Sequence, residues 1–252
     1  MDKPPLFGPF LRKGSYSRVQ VLENLFADDH FAALYQETSI LSEVDELMLY
    51  RRYLRKEDRV LLYGNLSPYL FNTLCEEGYD LYLVEPELNR ITGIAEPYLY
   101  RVYGLSNDLI DVLGDGVFHK IILPGTTISR YSRGELLLFF RNIRQLLAVN
   151  GQLLVTIHNA DYLKQHVQPI ASRRMQDCNV FYGQRVEKSR LIFNLYLKSR
   201  REEKVSYLVE YLYEPETLFE FAQLSRYKGR TLYSGKSVSI LELVELPPPT
   251  LR

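Results

Sequence analysis

The chain of 252 residues is 46% hydrophobic and 25% charged, enough to bury a large core, and its 31 Lys plus Arg match 31 Asp plus Glu. That balance excludes a net field drawing the chain to nucleic acid or to an anionic membrane. Its two cysteines, Cys75 in a predicted helix and Cys178 in a predicted loop, argue against a disulfide framework or a thiolate metal centre, and no run of about 18 apolar residues is present to span a bilayer.

Residues 1–38 mix Pro, Gly and Ser with apolar residues and are expected to form an N-terminal arm or lid. Met1–Pro5 lead into no long apolar run, so no signal peptide is expected and a reducing cytoplasm is the default location. A helix capped by Ser39 or Ser42 follows, with Leu41, Val44, Leu47, Met48 and Leu54 at helical spacing. Val60–Tyr63 reads as the first strand of a sheet, and a helix from about Tyr69 ends at Gly78. Leu81–Val84 is the second strand, closed by the acidic Glu85, and a short helix over 87–94 stops before Pro97. Tyr100–Tyr103 is the third strand and His119–Leu123 the fourth, broken by Pro124-Gly125.

The clearest helix covers about 134–149, where Leu136, Phe139, Phe140, Ile143 and Leu147 make one apolar stripe. Asn150-Gly151 ends it and starts a fifth strand, Gln152–Ile157. Strands alternating with helices at this spacing imply parallel pairing and right-handed crossovers. The period then changes to two over 179–213, which predicts a three-stranded antiparallel meander. A helix opens at Pro215, and a hairpin of Arg230–Tyr233 and Val238–Val244 closes the fold ahead of the proline-rich tail. The expected architecture is a single α/β domain over 1–252. It has a Rossmann-like, mostly parallel sheet with an antiparallel last strand, helices on both faces and an antiparallel insertion.

Two stretches carry chemistry. Arg59-Val60-Leu61-Leu62-Tyr63-Gly64-Asn65-Leu66-Ser67-Pro68 reads as strand, turn and helix, and Glu85 follows Gly64 by 21 residues. An acid at that distance is the expected grip on a ribose diol. The spacing also suits nicotinamide dinucleotides, but no G-x-G-x-x-G is present and the antiparallel ending points elsewhere. Over nearly its whole length the chain resembles the class I S-adenosylmethionine (SAM)-dependent methyltransferases, in particular small-molecule members with an inserted meander. Val60–Pro68 falls on their first strand and glycine loop, Val84-Glu85-Pro86 on their ribose-binding acid, and Leu146–Val155 on their helix, L-x-P-G-G, strand stretch. Ala33-Leu34-Tyr35 resembles part of their N-terminal lead-in. The chain departs from the pattern at Leu62, where the family has an acid, and at Leu66 and Pro68, where it has glycines. A Cβ at the last two positions crowds the methionine and ribose portion of the cofactor.

The resemblance implies SAM as cofactor, with Gly64, Glu85, Pro124 and the Asn107–Asp108 segment around it, and a small organic substrate of the natural-product or sugar type. His158, at the carboxyl edge where open α/β sheets bind ligands, is the candidate base for a substrate hydroxyl or amine. Among 20 tyrosines, Tyr16, Tyr35, Tyr162 and Tyr213 are candidates for the substrate wall, each with core packing as its plainer reading. The four histidines show no metal-ligand spacing. Two other readings stay open at this level. The chain is a pseudo-methyltransferase that binds a substrate or partner or guides a cyclisation, or it is a structural subunit pairing as a homodimer through its Tyr-rich meander.

Overall fold

The computed structural model describes residues 3–38, 45–64, 68–86, 93–104, 109–125, 127–167, 169–175 and 178–246. The chain divides into two compact units, one of residues 1–39 and 160–212 and one of 40–159 and 213–252. Asn107 and Asp108 lie outside the described residues, as do Leu66 of the glycine turn, Ser39, Ser42 and the final prolines.

In the first unit, α1 is Gly8–Gly14, β1 Val19–Leu22 and α2 Asp29–Thr38; later come α7 at Ala160–His166 and β7 to β10 at Ala171–Met175, Cys178–Glu187, Arg190–Ser199 and Glu203–Tyr211. The strands form one sheet in the order β1-β10-β9-β8-β7. The expected three-stranded meander is therefore the middle of five strands. It gains β7 on one side, and on the other β1, from the segment read as an arm, pairs parallel to β10. Period-two patterning reveals a half-buried strand, and β1, with only four residues, is too short to show it. Cys178 is in β8 rather than in a loop, and both cysteines are buried thiols outside any disulfide.

The second unit contains α3 (Glu46–Arg51), β2 (Arg59–Tyr63), α4 (Pro68–Glu76), β3 (Asp80–Glu85), β4 (Val102–Gly104), α5 (Leu109–Leu113) and β5 (Phe118–Leu123). It continues through α6 (Arg133–Leu146), β6 (Leu147–His158), α8 (Pro215–Leu224), β11 (Tyr227–Ser234) and β12 (Val238–Glu245). Its seven-stranded sheet runs β11-β12-β6-β5-β2-β3-β4. Strands β4, β3, β2, β5 and β6 pair in parallel, while β12 is antiparallel to both β6 and β11. The order reverses between β2 and β5, and such a switch point opens a crevice at the carboxyl ends of the strands. Val60, Leu61, Leu62, Leu81, Leu83, Ile121, Ile122, Leu153 and Leu154 are fully buried, as strands covered on both faces require. Val60, Leu62, Leu83, Ile122 and Leu154 pack with α3 and α4 in one cluster.

Three boundaries differ from the sequence reading. The helix expected to reach residue 149 ends at Leu146, because Leu147 is already extended and pairs with Phe118. The next partners are Lys120 and Gln152, so Ala148–Gly151 bulge out, with Asn150 at φ 63° and Val149 exposed. The third strand shortens to 102–104 because Pro97 opens a 3-10 turn over Glu96–Arg101. Finally, α3 is capped by neither serine: the Asp45 carboxylate accepts from the Met48 amide at 2.9 Å.

Candidate functional site

The carboxyl ends of β2, β3, β5 and β6 bring together Gly64, Glu85, Pro124-Gly125 and His158, all within the second unit. Gly64 sits at φ +77°, in the left-handed region, and its amide donates to the Val84 carbonyl at 2.7 Å. The turn therefore continues the β2–β3 ladder by one bond before α4 starts at Pro68, a residue suited to the first helical turn. A Cβ at Gly64 would lie 2.7 Å from Thr127 Oγ1 and 2.9 Å from its Cγ2. The close approach that this glycine permits is thus made by Thr127. Thr127 is buried, and both its amide (3.0 Å) and its hydroxyl (2.6 Å) donate to the Pro124 carbonyl.

Glu85 ends β3 with no exposed surface, opposite Gly104 in the ladder. Its charge reaches Tyr63. Burial chiefly raises the Tyr63 hydroxyl above the usual tyrosine range; a bond from Tyr131 opposes this and the Glu85 carboxylate adds to it. The Tyr131 hydroxyl donates to that of Tyr63 at 3.4 Å, and both rings pack on Phe139. Tyr63 and Tyr131 also wall a cavity of about 460 Å³ with Leu109, Ile110, Phe139 and Ile143. Leu109 and Ile110 open α5 directly after the segment holding Asn107 and Asp108. Most of the lining is apolar, with Glu135 and Asn142 among its polar members.

At the other end of the rim lies a polar network that sequence reasoning missed. The Glu46 carboxylate accepts from the Gly125 amide at 2.8 Å and from the Tyr50 hydroxyl at 3.5 Å. The Tyr50 hydroxyl also shares a short hydrogen bond with Thr156 Oγ1 and lies 3.4 Å from the Leu123 carbonyl. Burial raises the Glu46 carboxyl above its ordinary range, against the lowering effect of the Gly125 bond, the two hydroxyls and the charge of His158. Burial and the neighbouring carboxylate likewise push Tyr50 well up. The available signal is the pair Glu46 and Tyr50, four residues apart and hence on one helical face.

His158 is 3% exposed and pairs with Val238 on β12, and the next residue, Asn159, donates its amide to the Ser237 carbonyl. Of the four tyrosines, Tyr213 belongs to the second unit, where it is buried and donates to the Tyr131 carbonyl at 2.6 Å. The other three belong to the first unit. Tyr35 is buried against Phe26 and Phe193 and donates to Glu210 at 2.7 Å. Tyr16 is half-buried, with Lys13 and Arg18 over its ring, and Tyr162 stacks on His166. Among the described residues no group of three or more His, Cys, Asp or Glu is placed to hold a metal ion, and no helix is long and apolar enough to cross a membrane.

No protein-family model matches the chain, and no curated protein sequence does. Solved structures do match. The sugar N-methyltransferase KedS8 from Streptoalloteichus sp ATCC 53650 aligns with TM-score 0.62 at 15% identity, covering 97% of this chain and 98% of that one. A SAM-dependent methyltransferase from Clostridium acetobutylicum ATCC 824 aligns with TM-score 0.61 at 13% identity, over 87% and 99% of the two chains. SAM-bound CalS10, an amino pentose methyltransferase from Micromonospora echinaspora, aligns with TM-score 0.57 at 13% identity, over 88% and 99%. The chain has the fold these methyltransferases share.

Proposed function

We propose that the protein transfers a methyl group from SAM to a small organic molecule. One observation carries the reading within this fold: a buried carboxylate, Glu85, ends the second strand of the parallel series beside a left-handed glycine turn. The neighbours that share the fold include a sugar N-methyltransferase, a glycopeptide N-methyltransferase, the amino pentose methyltransferase CalS10 solved with SAM, and a SAM-dependent methyltransferase from Bacteroides fragilis solved with S-adenosylhomocysteine. The residues present suit the adenosine portion of SAM. Glu85 can accept from both ribose hydroxyls, and the cavity beside Tyr63 offers apolar walls to a flat heterocycle. The Thr127 side chain against Gly64 narrows the same turn, in keeping with the loss of the family's other glycines at Leu66 and Pro68.

When bound, SAM supplies an electrophilic methyl on a sulfonium. The chain's own part is to hold the acceptor in line with that methyl and to exclude water, and orientation alone removes a large share of such a barrier. Glu85 would hold the ribose, and His158 would take the acceptor's proton where one must leave. Calorimetry and thermal shift with millimolar SAM and S-adenosylhomocysteine test the reading. A ligand at about 100 times its Kd adds about 2.7 kcal/mol of stability, and Glu85→Ala is expected to abolish the gain. Absence of both heat and thermal shift with the unaltered protein would remove the basis of the proposal.

A further inference from the structure

The three heavy atoms nearest to a Cβ placed on Gly64 all belong to Thr127: Oγ1 at 2.7 Å, Cγ2 at 2.9 Å and Cβ at 3.4 Å. Both branches of this threonine therefore straddle the bare side of the glycine. The fork is held in place. Thr127 is buried, and its hydroxyl and amide both donate to the Pro124 carbonyl, at 2.6 and 3.0 Å. The intervening turn is tied to α3 by the Gly125 amide, which donates to the Glu46 carboxylate at 2.8 Å. An alanine would close the same turn through its amide alone, so the turn by itself does not explain the two branches.

Strand order gives the fork its place. Along the rim β3, β2, β5 and β6 are neighbours, and they end at or lead into Glu85, Gly64, Thr127 and His158. Neighbouring strands lie about 4.8 Å apart, which puts the acid and the candidate base about 14 Å from each other. The ground between them is the end of β2 at Gly64 and the turn after β5 that carries Thr127. A group on the 5′ carbon of a ribose held at Glu85 reaches the His158 end only across that ground. The opposite flank of the Gly64 turn is closed. A Cβ on Gly93 would lie 3.3 Å from Pro68 Cγ. The Asn72 side chain clamps that segment to α4, donating to the Gly93 carbonyl at 2.9 Å and accepting from the Ala95 amide at 3.0 Å.

We propose that Thr127 is a specificity-determining residue for the nucleoside: its two branches limit the bulk that the site accepts on the 5′ carbon of an adenosine held at Glu85. The inference rests on the methyl-transfer reading and adds to it a second selection, made at the 5′ substituent instead of at the ribose. A compact 5′-alkylthio group passes beside the fork. The longer, doubly charged amino-acid arm of SAM or S-adenosylhomocysteine presses on Oγ1 and Cγ2 and is held less tightly than the cleft would otherwise allow.

The test compares one thioether nucleoside without and with that arm, 5′-methylthioadenosine and S-adenosylhomocysteine. Their Kd values are measured by calorimetry on the unaltered protein, Thr127→Ala, Thr127→Ser and Thr127→Val. Thr127→Ala removes both branches and is expected to tighten S-adenosylhomocysteine about tenfold, the low end of what relief of an overpacked contact yields, while 5′-methylthioadenosine changes by less than about twofold. Thr127→Ser keeps the hydroxyl bond to the Pro124 carbonyl, and with it the turn, and is expected to give part of the gain. Thr127→Val keeps the bulk without the hydroxyl and should leave the ratio of the two Kd values as it is. Affinities for the two nucleosides that shift by one common factor, or not at all, in the Ala and Ser variants overturn the proposal. The two readings fail separately. Tight binding of S-adenosylhomocysteine by the unaltered protein, with no gain in Thr127→Ala, removes this inference and leaves methyl transfer standing. Binding of 5′-methylthioadenosine by the unaltered protein, with S-adenosylhomocysteine admitted only after Thr127→Ala, does the reverse. Binding of neither nucleoside by any of the four proteins overturns both.

Discussion

The two ends of the sheet's rim are built in different ways. At the Gly64 end the site is made by the backbone: a left-handed turn, an amide bonded to the Val84 carbonyl, and a missing Cβ whose space Thr127 fills. At the His158 end it is made by side chains, with Glu46, Tyr50 and Thr156 linked across a helix and a strand. Backbone-built sites tolerate no added atom, whereas side-chain networks can lose a member and relax, at the cost of the hydrogen bonds removed. The contrast predicts where substitution does the greatest damage.

The largest effect is expected at Gly64. Gly64→Ala forces a side chain into the left-handed region and against Thr127, and the two costs together amount to about 2–5 kcal/mol. Urea denaturation of the single variant, of Thr127→Ala and of the double variant separates them. In the Thr127→Ala background the steric part disappears, because Oγ1 and Cγ2 are gone and the remaining Cβ would lie 3.4 Å away, while the backbone part persists. Equal costs in both backgrounds would show that the fit of Thr127 to the glycine does not matter.

The network is expected to respond less. Tyr50→Phe removes a hydroxyl bonded to Thr156, Glu46 and the Leu123 carbonyl, at a cost of about 1–2 kcal/mol. Glu46→Gln keeps an oxygen for the Gly125 amide and removes the charge. Because burial raises the Glu46 carboxyl in the fold, the native state holds this proton to higher pH than the unfolded chain does. The stabilising term is therefore full below the unfolded value and lost as pH rises through the folded one. Relative to the unaltered protein, Glu46→Gln should gain stability as pH rises above the unfolded carboxyl value, and the gain should level off once pH passes the raised value of the folded state. A pH-independent difference would place the carboxylate in solvent and break the contrast.

The same difference decides what could be read in the sequence. The parallel core, the antiparallel close and the glycine-to-acid spacing were legible because each is written in a short, local pattern: aliphatic runs, a glycine stop, an acid at the next strand end. Gly64, Glu85 and His158 were located on that basis, and all three sit at the carboxyl rim. The Glu46 network was not legible, since its members come from α3, β5 and β6 and only the pleat of the sheet brings them together. β1 stayed hidden for a related reason: four residues show no period, and its partner β10 lies far along the chain. The bulge at Ala148–Gly151 was masked by an apolar stripe that ran through Leu147, a residue that serves the strand rather than the helix.

The smallest predicted effect sharpens the comparison by placing a second glutamate against Glu46. Glu135 lines the cavity at the Gly64 end, but it is exposed, and its carboxylate accepts from the Ser132 amide at 2.7 Å as the far arm of a capping box at the start of α6. Bonds from the Ser132 hydroxyl and amide hold its carboxyl below the ordinary range, with burial opposing only weakly. The sign is therefore the reverse of that at Glu46. The stabilising term is present above the unfolded value and is lost as pH falls through the folded one. Glu135→Gln should cost about 0.5–1 kcal/mol near neutrality, where a charged cap and a negative side chain in the first turn both help, and almost nothing near pH 3. Thermal melts of the two glutamine variants across that range should diverge from the unaltered protein in opposite directions as the solution is made less acidic. Parallel curves would mean that the two carboxylates share one environment, and the distinction between a backbone-built end and a side-chain-built end would have no electrostatic counterpart.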